Sequence, residues 1–327
     1  MGYNLIRIAN RVIGPGHPPF IVAELSGNHN RSLGRALEIA EAAAKAGAHA
    51  LKLQTYTADT MTLDLKEGEF FIDDPNSLWQ SKSLYDLYQE AHTPWDWHEP
   101  IFRRCRELGL ICFSTPFDET AVDFLEGLEV PCYKIASFEN TDIPLIRKVA
   151  GTGKPLFIST GMATAAELDE SVRAARAAGC KELILLKCTS TYPATPENTN
   201  LLTIPLLREL FGCQIGLSDH TLGIGVAIAG VALGATVIEK HFTLARGDGG
   251  DGGGSSSPGR ALHPCLRGRR RRCGVLAGAE RAGGPGHGDR VCPAGTWGNK
   301  IRPHRGRTCL SCLSPVPLCL RGSPTRR

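Results

Sequence analysis

Along its first 240 or so residues the chain switches between two hydrophobic periods. Short apolar runs end on polar side chains, Phe20-Ile21-Val22-Ala23-Glu24 first and Ala50-Leu51-Lys52-Leu53-Gln54 second. Between them the apolar positions fall three and four apart, the spacing of one helix face. Further runs lie at residues 111–115, 132–136, 155–159, 183–187, 215–218 and 236–240. Helical stretches lie at 32–46, 94–108, 119–128, 143–150, 165–178, 202–210 and 224–233. Ser32 stands where an N-cap accepts an orphan amide, and Gly47 where the left-handed C-cap favours glycine.

Eight near-continuous apolar strands alternating with helices predict a parallel sheet covered by those helices. The length and count match an α/β fold, a (β/α)8 TIM barrel over residues 20–246. An open doubly wound sheet is the alternative. It is disfavoured because polar residues mark nearly every strand end, not a single switch point. Residues 1–19 read as a hairpin capping the barrel, with Ile6 and Ile8 alternating against polar neighbours and Gly14-Pro15-Gly16 closing it. Residues 55–93 form an excursion carrying Phe70, Phe71, Trp79, Tyr85 and Tyr88. That is too aromatic for a disordered linker and predicts a lid or binding segment.

In a barrel the carboxyl ends of the strands converge on one cavity. Here they carry Glu24, Lys52, Gln54, Thr115, Lys134, Ser137, Ser159, Ser218, His220, Glu239 and His241. A lone lysine there snorkels and a lone serine caps a helix. Two lysines, several hydroxyls and an amide around one cavity form an anion site suited to a phosphate with an attached carboxylate. His220 and His241 stand at the ends of consecutive strands. Two neutral imidazoles so placed make a divalent-metal site or an acid/base pair, with Glu239 beside them. The expected substrates are a phosphorylated carboxylic acid and a carbonyl compound to be polarised.

Composition narrows the class. With 327 residues and 42% apolar content the chain can bury a large core. No run reaches the roughly 18 apolar residues of a membrane span, and the N-terminus lacks the apolar stretch of a signal peptide, which predicts a cytoplasmic protein without a membrane partner. Cys105, Cys112, Cys132, Cys180, Cys188 and Cys213 fall singly, without paired spacing, and read as buried, reduced thiols. The net charge of +4 conceals two halves: 22 basic against 31 acidic residues up to Gly259, then 15 against 2. A basic tail ordinarily suggests nucleic acid or an anionic membrane, but this one implies neither.

The stretch from about Phe20 to Thr243 resembles the sialic acid synthase family. The resemblance is carried by Asn28-His29-Asn30, Leu51-Lys52-Leu53-Gln54-Thr55, Ser114-Thr115-Pro116-Phe117, Tyr133-Lys134-Ile135-Ala136-Ser137 and Ile158-Ser159-Thr160-Gly161-Met162. Tyr192-Pro193, Ser218-Asp219-His220 and Glu239-Lys240-His241-Phe242 complete it in order. Residues 55–62 and 84–95 are most similar to the pseudaminic acid synthase subgroup, with N-acetylneuraminate and legionaminate synthases as alternatives. The resemblance implies a transferase that condenses phosphoenolpyruvate with an N-acetylated amino-sugar aldehyde. It implies that Lys52, Gln54, Thr115, Lys134, Ser137, Ser159 and Ser218 hold phosphoenolpyruvate and that Tyr192 faces the sugar. His220 and His241 would bind Mn2+ or Mg2+, and Glu24 would transfer a proton or hold a sugar hydroxyl. It also implies a homodimer in which a C-terminal antifreeze-like domain lends an arginine to the partner's sugar site.

That domain is not recognisable in residues 247–327. They open on a Gly/Asp/Ser stretch and continue through Arg269-Arg270-Arg271-Arg272 with Gly, Pro and Cys but no helical or strand period. Of the fifteen basic residues after Gly259 only Lys300 is lysine. This is the composition expected of a frameshifted GC-rich gene, with a genuine disordered basic tail or an assembly error as alternatives, and it predicts a barrel without its last helix, weakly folded and poorly active. Two other classes stay open from residues alone: an aldolase with Lys134 or Lys52 as a Schiff base, and a non-catalytic remnant that keeps the phosphoenolpyruvate site.

Overall fold

The computed structural model describes residues 4–73, 79–190, 194–245 and 257–258. β1 (Ile6–Ile8) and β2 (Arg11–Ile13) form an antiparallel hairpin. Eight parallel strands follow: β3 (Phe20–Glu24), β4 (Ala50–Thr55), β5 (Ile111–Pro116), β6 (Tyr133–Ile135), β7 (Leu156–Ser159), β8 (Leu183–Cys188), β9 (Gln214–Asp219) and β10 (Val237–Thr243). Each pairs with the next, and β10 pairs with both β9 and β3, so the sheet closes. The expected barrel is the observed one, and the open sheet is excluded.

Between β3 and β4 runs α1 (Leu33–Ala46), capped by the Ser32 hydroxyl accepting from the Arg35 amide and ended by Gly47 at φ 85°. The excursion after β4 holds two helices, α2 (Ala58–Met61) and α3 (Leu84–Ala91), where sequence reading saw a loop. Then come α4 (Trp95–Glu107), α5 (Glu119–Gly127), α6 (Ile143–Ala150), α7 (Ala165–Ala177), α8 (Thr203–Phe211) and α9 (Gly225–Ala232). Their apolar faces bury against the outward residues of the strands, such as Ile21, Leu51, Leu53, Ile135 and Leu217.

The inward residues build the barrel interior in layers. Ile6, Ile8 and Ile13 of the hairpin pack with Phe20, Val22, Phe113, Phe157, Leu186 and Val237, plugging the bottom. Phe113 and Phe157 stack at 5.6 Å between centroids. Gly216 leaves room that nothing larger could take: a Cβ there would lie 2.6 Å from Leu186 and 2.7 Å from Val237. Because successive strand residues alternate faces, the same register places a polar layer directly above this apolar one.

Most element boundaries shift by a residue or two from the expected ranges, and three of these shifts bear on the site. β6 is two residues shorter and meets β5 at a single pair, Ser114 with Tyr133. β9 starts at Gln214 and includes Asp219. β10 runs on to Thr243, so His241 lies inside a strand and not in the loop beyond it. A two-residue strand, β11 (Ser257–Pro258), pairs with Phe242 and Thr243 of β10 in a stretch read as lacking strand pattern. Tyr192 and the remainder of the segment after Arg246 lie outside the described residues.

Candidate active site

Above the apolar layer the barrel opens into a cavity of about 360 Å³. The period-2 rule decides who lines it. Lys52 and Gln54 alternate on β4, Ser159 follows Phe157 on β7, and Ser218 follows Gly216 on β9. Every described residue of the expected site, from Glu24 to His241, faces this cavity.

At its floor the charges interlock. Lys52 is ion-paired with Glu24, lies 3.9 Å from Glu239 and donates to Thr115 Oγ1 at 3.2 Å. Gln54 Nε2 donates to the other Glu24 oxygen at 3.1 Å. Lys134 lies 3.4 Å from Glu239, which also accepts from the Ser218 hydroxyl at 3.0 Å. Burial raises both carboxyls, but the outcome differs. Glu24 stands at about 7, burial outweighing Lys52. Glu239 is driven down to about 2, because Lys134 and Lys52 together overcome its burial. Environments that separate two carboxyls in this way assign one to proton transfer and the other to fixed charge.

The two imidazoles lie side by side, 5.4 Å between ring centroids. Burial, then the charges of His220 and Lys52, hold His241 far below its usual range, so its ring is neutral. Its Nδ1 is buried without a hydrogen-bond partner. His220 Nδ1 lies 3.0 Å from the Thr189 carbonyl, which can only accept, and this sets the ring tautomer. A neutral imidazole with an orphaned nitrogen beside a second ring fits a divalent cation. Among the described residues no cluster of three or more His, Cys, Asp or Glu donors forms, so the other coordination positions would fall to oxygen ligands from outside the side chains.

Cys188 corrects the reading of all six thiols as buried. Five are buried, but Cys188 lines the cavity, 3.9 Å from both His220 Nδ1 and Ser190 Oγ. Burial would raise its thiol; the contact with His220, helped by Ser137 and Lys134, outweighs it and sets the thiol at about 7.

Folding also brings together residues far apart in the sequence. A Cβ at Gly161 would lie 2.1 Å from Ser190 Oγ and 2.6 Å from Ser137 Oγ. The glycine therefore lets three loops close into a cradle of hydroxyls, and the buried Ser159 hydroxyl beside it has no protein partner. Asn140 fastens this cradle by donating to the Ser159 and Gly161 carbonyls at 3.1 and 3.0 Å. Glu139 has an oxygen buried without a hydrogen-bond partner, and burial lifts its carboxyl to about 7. The excursion supplies an apolar wall of the cavity through Tyr56, Trp79, Leu87 and Tyr88.

The NeuB family model matches residues 39–265. A pseudaminic acid synthase of Helicobacter pylori is 48% identical over 227 residues, covering 69% of this chain and 66% of that enzyme. An N,N'-diacetyllegionaminic acid synthase of Legionella pneumophila is 37% identical, covering 69% of this chain and 64% of that one. The chain thus spans slightly under two thirds of the length of these relatives. The crystal structure of an N-acetylneuraminic acid synthetase from Leptospira borgpetersenii, in complex with citrate, superposes with a TM-score of 0.73 at 30% identity, covering 81% and 87% of the two chains.

Proposed function

The chain belongs to the NeuB family, and on that premise we propose that it condenses phosphoenolpyruvate with an N-acetylated amino-sugar aldehyde, releasing phosphate and forming a nonulosonic acid of the pseudaminic type. The observation that carries this reading is the single cavity in which two buried lysines, a hydroxyl cradle and paired imidazoles meet. The higher identity to pseudaminic acid synthase, 48% against 37% for the legionaminic enzyme, supports the subtype.

Lys52 and Lys134 hold the phosphate and carboxylate of phosphoenolpyruvate, with Ser137, Ser159 and the Gly161 loop closing on the phosphate. Gln54, Thr115 and Ser218 orient the lysines and carboxylates around it. Glu239 stays ionised and fixes the two ammonium groups. C3 of the enolpyruvate attacks the aldehyde carbon, and the aldehyde oxygen takes up a proton. A water adds to C2 and loses its proton, and phosphate leaves by C–O cleavage. Glu24, whose carboxyl holds its proton up to about pH 7, is placed to carry these protons. His220 and His241 would hold Mn2+ or Mg2+, which when bound supplies Lewis-acid polarisation of the sugar carbonyl.

A Schiff-base aldolase fits less well, because each lysine sits against a carboxylate and not in an apolar pocket. In the described residues no helix is long and apolar enough to cross a membrane. A homodimer is part of the same proposal, tested by the mass of the purified protein in solution. The enzymatic reading is tested by phosphate release from phosphoenolpyruvate with N-acetylated hexose derivatives, with Mn2+ or with chelator. Sugar-dependent release that chelator abolishes is expected. Borohydride trapping of a pyruvate adduct on a lysine would sink it.

A further inference from the structure

Asp219 and Lys240 form an ion pair that the cavity does not use. They lie on the outward faces of β9 and β10, opposite each other in register, and both are only 2% exposed. Their sequence neighbours His220 and His241 are the two imidazoles of the site. Lys240 donates to Asp219 Oδ2 at 2.8 Å, to the Thr221 carbonyl at 2.5 Å and, more weakly, to the Asp219 carbonyl at 3.5 Å. The other Asp219 oxygen accepts from the Thr221 amide at 2.9 Å and the Thr221 hydroxyl at 2.7 Å. One ammonium therefore grips the backbone on both sides of His220, while its own residue is the immediate neighbour of His241.

The position of this grip is informative. The β9–β10 ladder reaches its last pair at Lys240 with Asp219, and His241 is already in register with Glu24 of β3. Beyond that last pair no sheet hydrogen bond sets the distance between the two imidazole-bearing segments. A buried ion pair is a poor device for stability alone, since an apolar pair of similar volume does as well. Its directional bonds do something an apolar pair cannot: they fix the backbone on which a ring is mounted.

We propose that the Asp219–Lys240 pair is a positioning device that sets the separation and orientation of His220 and His241 from behind the barrel wall. Neither residue touches the cavity, so each acts through the imidazole beside it. The inference rests on the metal reading above for its consequence, but its geometric content stands apart from it.

The test is the double variant Asp219→Asn/Lys240→Met in the full chain, which removes both charges together and leaves no lone buried ion. Three quantities are compared with the unaltered protein: the melting temperature, the ring separation in a crystal structure, and Mn2+ affinity from the electron paramagnetic resonance of free Mn2+. A folded variant with nearly the parental melting temperature, a ring separation displaced by about 1 Å or more, and Mn2+ bound about tenfold more weakly is expected. Unchanged ring separation in a folded variant overturns the proposal, as does unchanged affinity where the parent binds Mn2+. A parent that binds no Mn2+ sinks the metal reading alone, and the ring separation then decides. If the double variant does not fold, Asp219→Asn alone, which preserves shape, carries the same comparison. Failure of both to fold assigns the pair to stability and overturns a positioning role.

Discussion

Glu24 and Glu239 share one ammonium, that of Lys52, yet their carboxyls stand at about 7 and about 2. The difference comes from Lys134 and Ser218, which reach Glu239 from the far side of the cavity. Glu24 has Lys52 and the neutral amide of Gln54 in contact, a weaker effect from Lys134, and the charge of Glu239 pushing it up further.

Replacing Glu24 by Gln keeps the shape but removes a proton carrier and turns one of its two acceptor oxygens into a donor facing Lys52 or Gln54. With Mn2+ and saturating substrates, kcat is expected to fall about 100- to 10,000-fold, while KM for phosphoenolpyruvate changes little. Steady-state kinetics check this, and a variant as active as the parent removes Glu24 from proton transfer.

Lys134→Met and Lys52→Met each delete one charge-assisted contact to an anionic substrate. A hydrogen bond to a charged group contributes about 1.5–3 kcal/mol, so phosphoenolpyruvate affinity should drop roughly 10- to 100-fold. Sugar KM measured alongside should move much less. Equal losses for both substrates would place the lysines elsewhere in the reaction.

His220→Ala and His241→Ala should each abolish Mn2+ stimulation without unfolding the barrel. Loss of His241 Nδ1 breaks no protein hydrogen bond, since that atom has none. Chelator titration and thermal melts read the two effects separately; metal-stimulated turnover in both variants would exclude these ligands.

His98 makes stability depend on acid. Its ring is fully buried between Thr55 Oγ1 at 2.8 Å and the Pro94 carbonyl at 3.2 Å, and burial lowers it to about 4. It is neutral when folded and takes a proton near 6.5 when unfolded. The stability it contributes is present above pH 6.5 and is lost as pH falls through about 4, in total about 3 kcal/mol. His29 and His49, also held at about 4, act in the same direction. Melting temperature should therefore fall from pH 7 to pH 4.5, and less steeply in His98→Gln. Equal slopes for parent and variant would show that His98 titrates alike in both states.

Gly216→Ala forces a methyl group against Leu186, Val237 and the Val237 carbonyl in the barrel interior. Overpacking of this kind costs about 1–3 kcal/mol. Calorimetry should show a lower melting temperature; an unchanged one would mean that β8 and β10 can part without penalty.

The hydrophobic period along the chain determined the barrel, because a strand buried on both sides and a helix buried on one leave different repeats. It also determined most of the site, since Lys52, Lys134, Ser159, Ser218 and Glu239 are polar breaks in otherwise apolar strands, and a closed barrel gives such breaks one place to meet. What the period cannot carry is the contact between loops far apart in sequence. The Gly161 cradle with Ser137 and Ser190, the approach of Cys188 to His220 and the buried, unpartnered oxygen of Glu139 depend on how strand ends are staggered around the ring. The helices of the excursion were hidden for a related reason. α3 has no buried residue to print a core-facing stripe on its sequence. The separation of Glu24 from Glu239 was equally illegible, because two identical side chains differ only in which cations the closed ring brings to each.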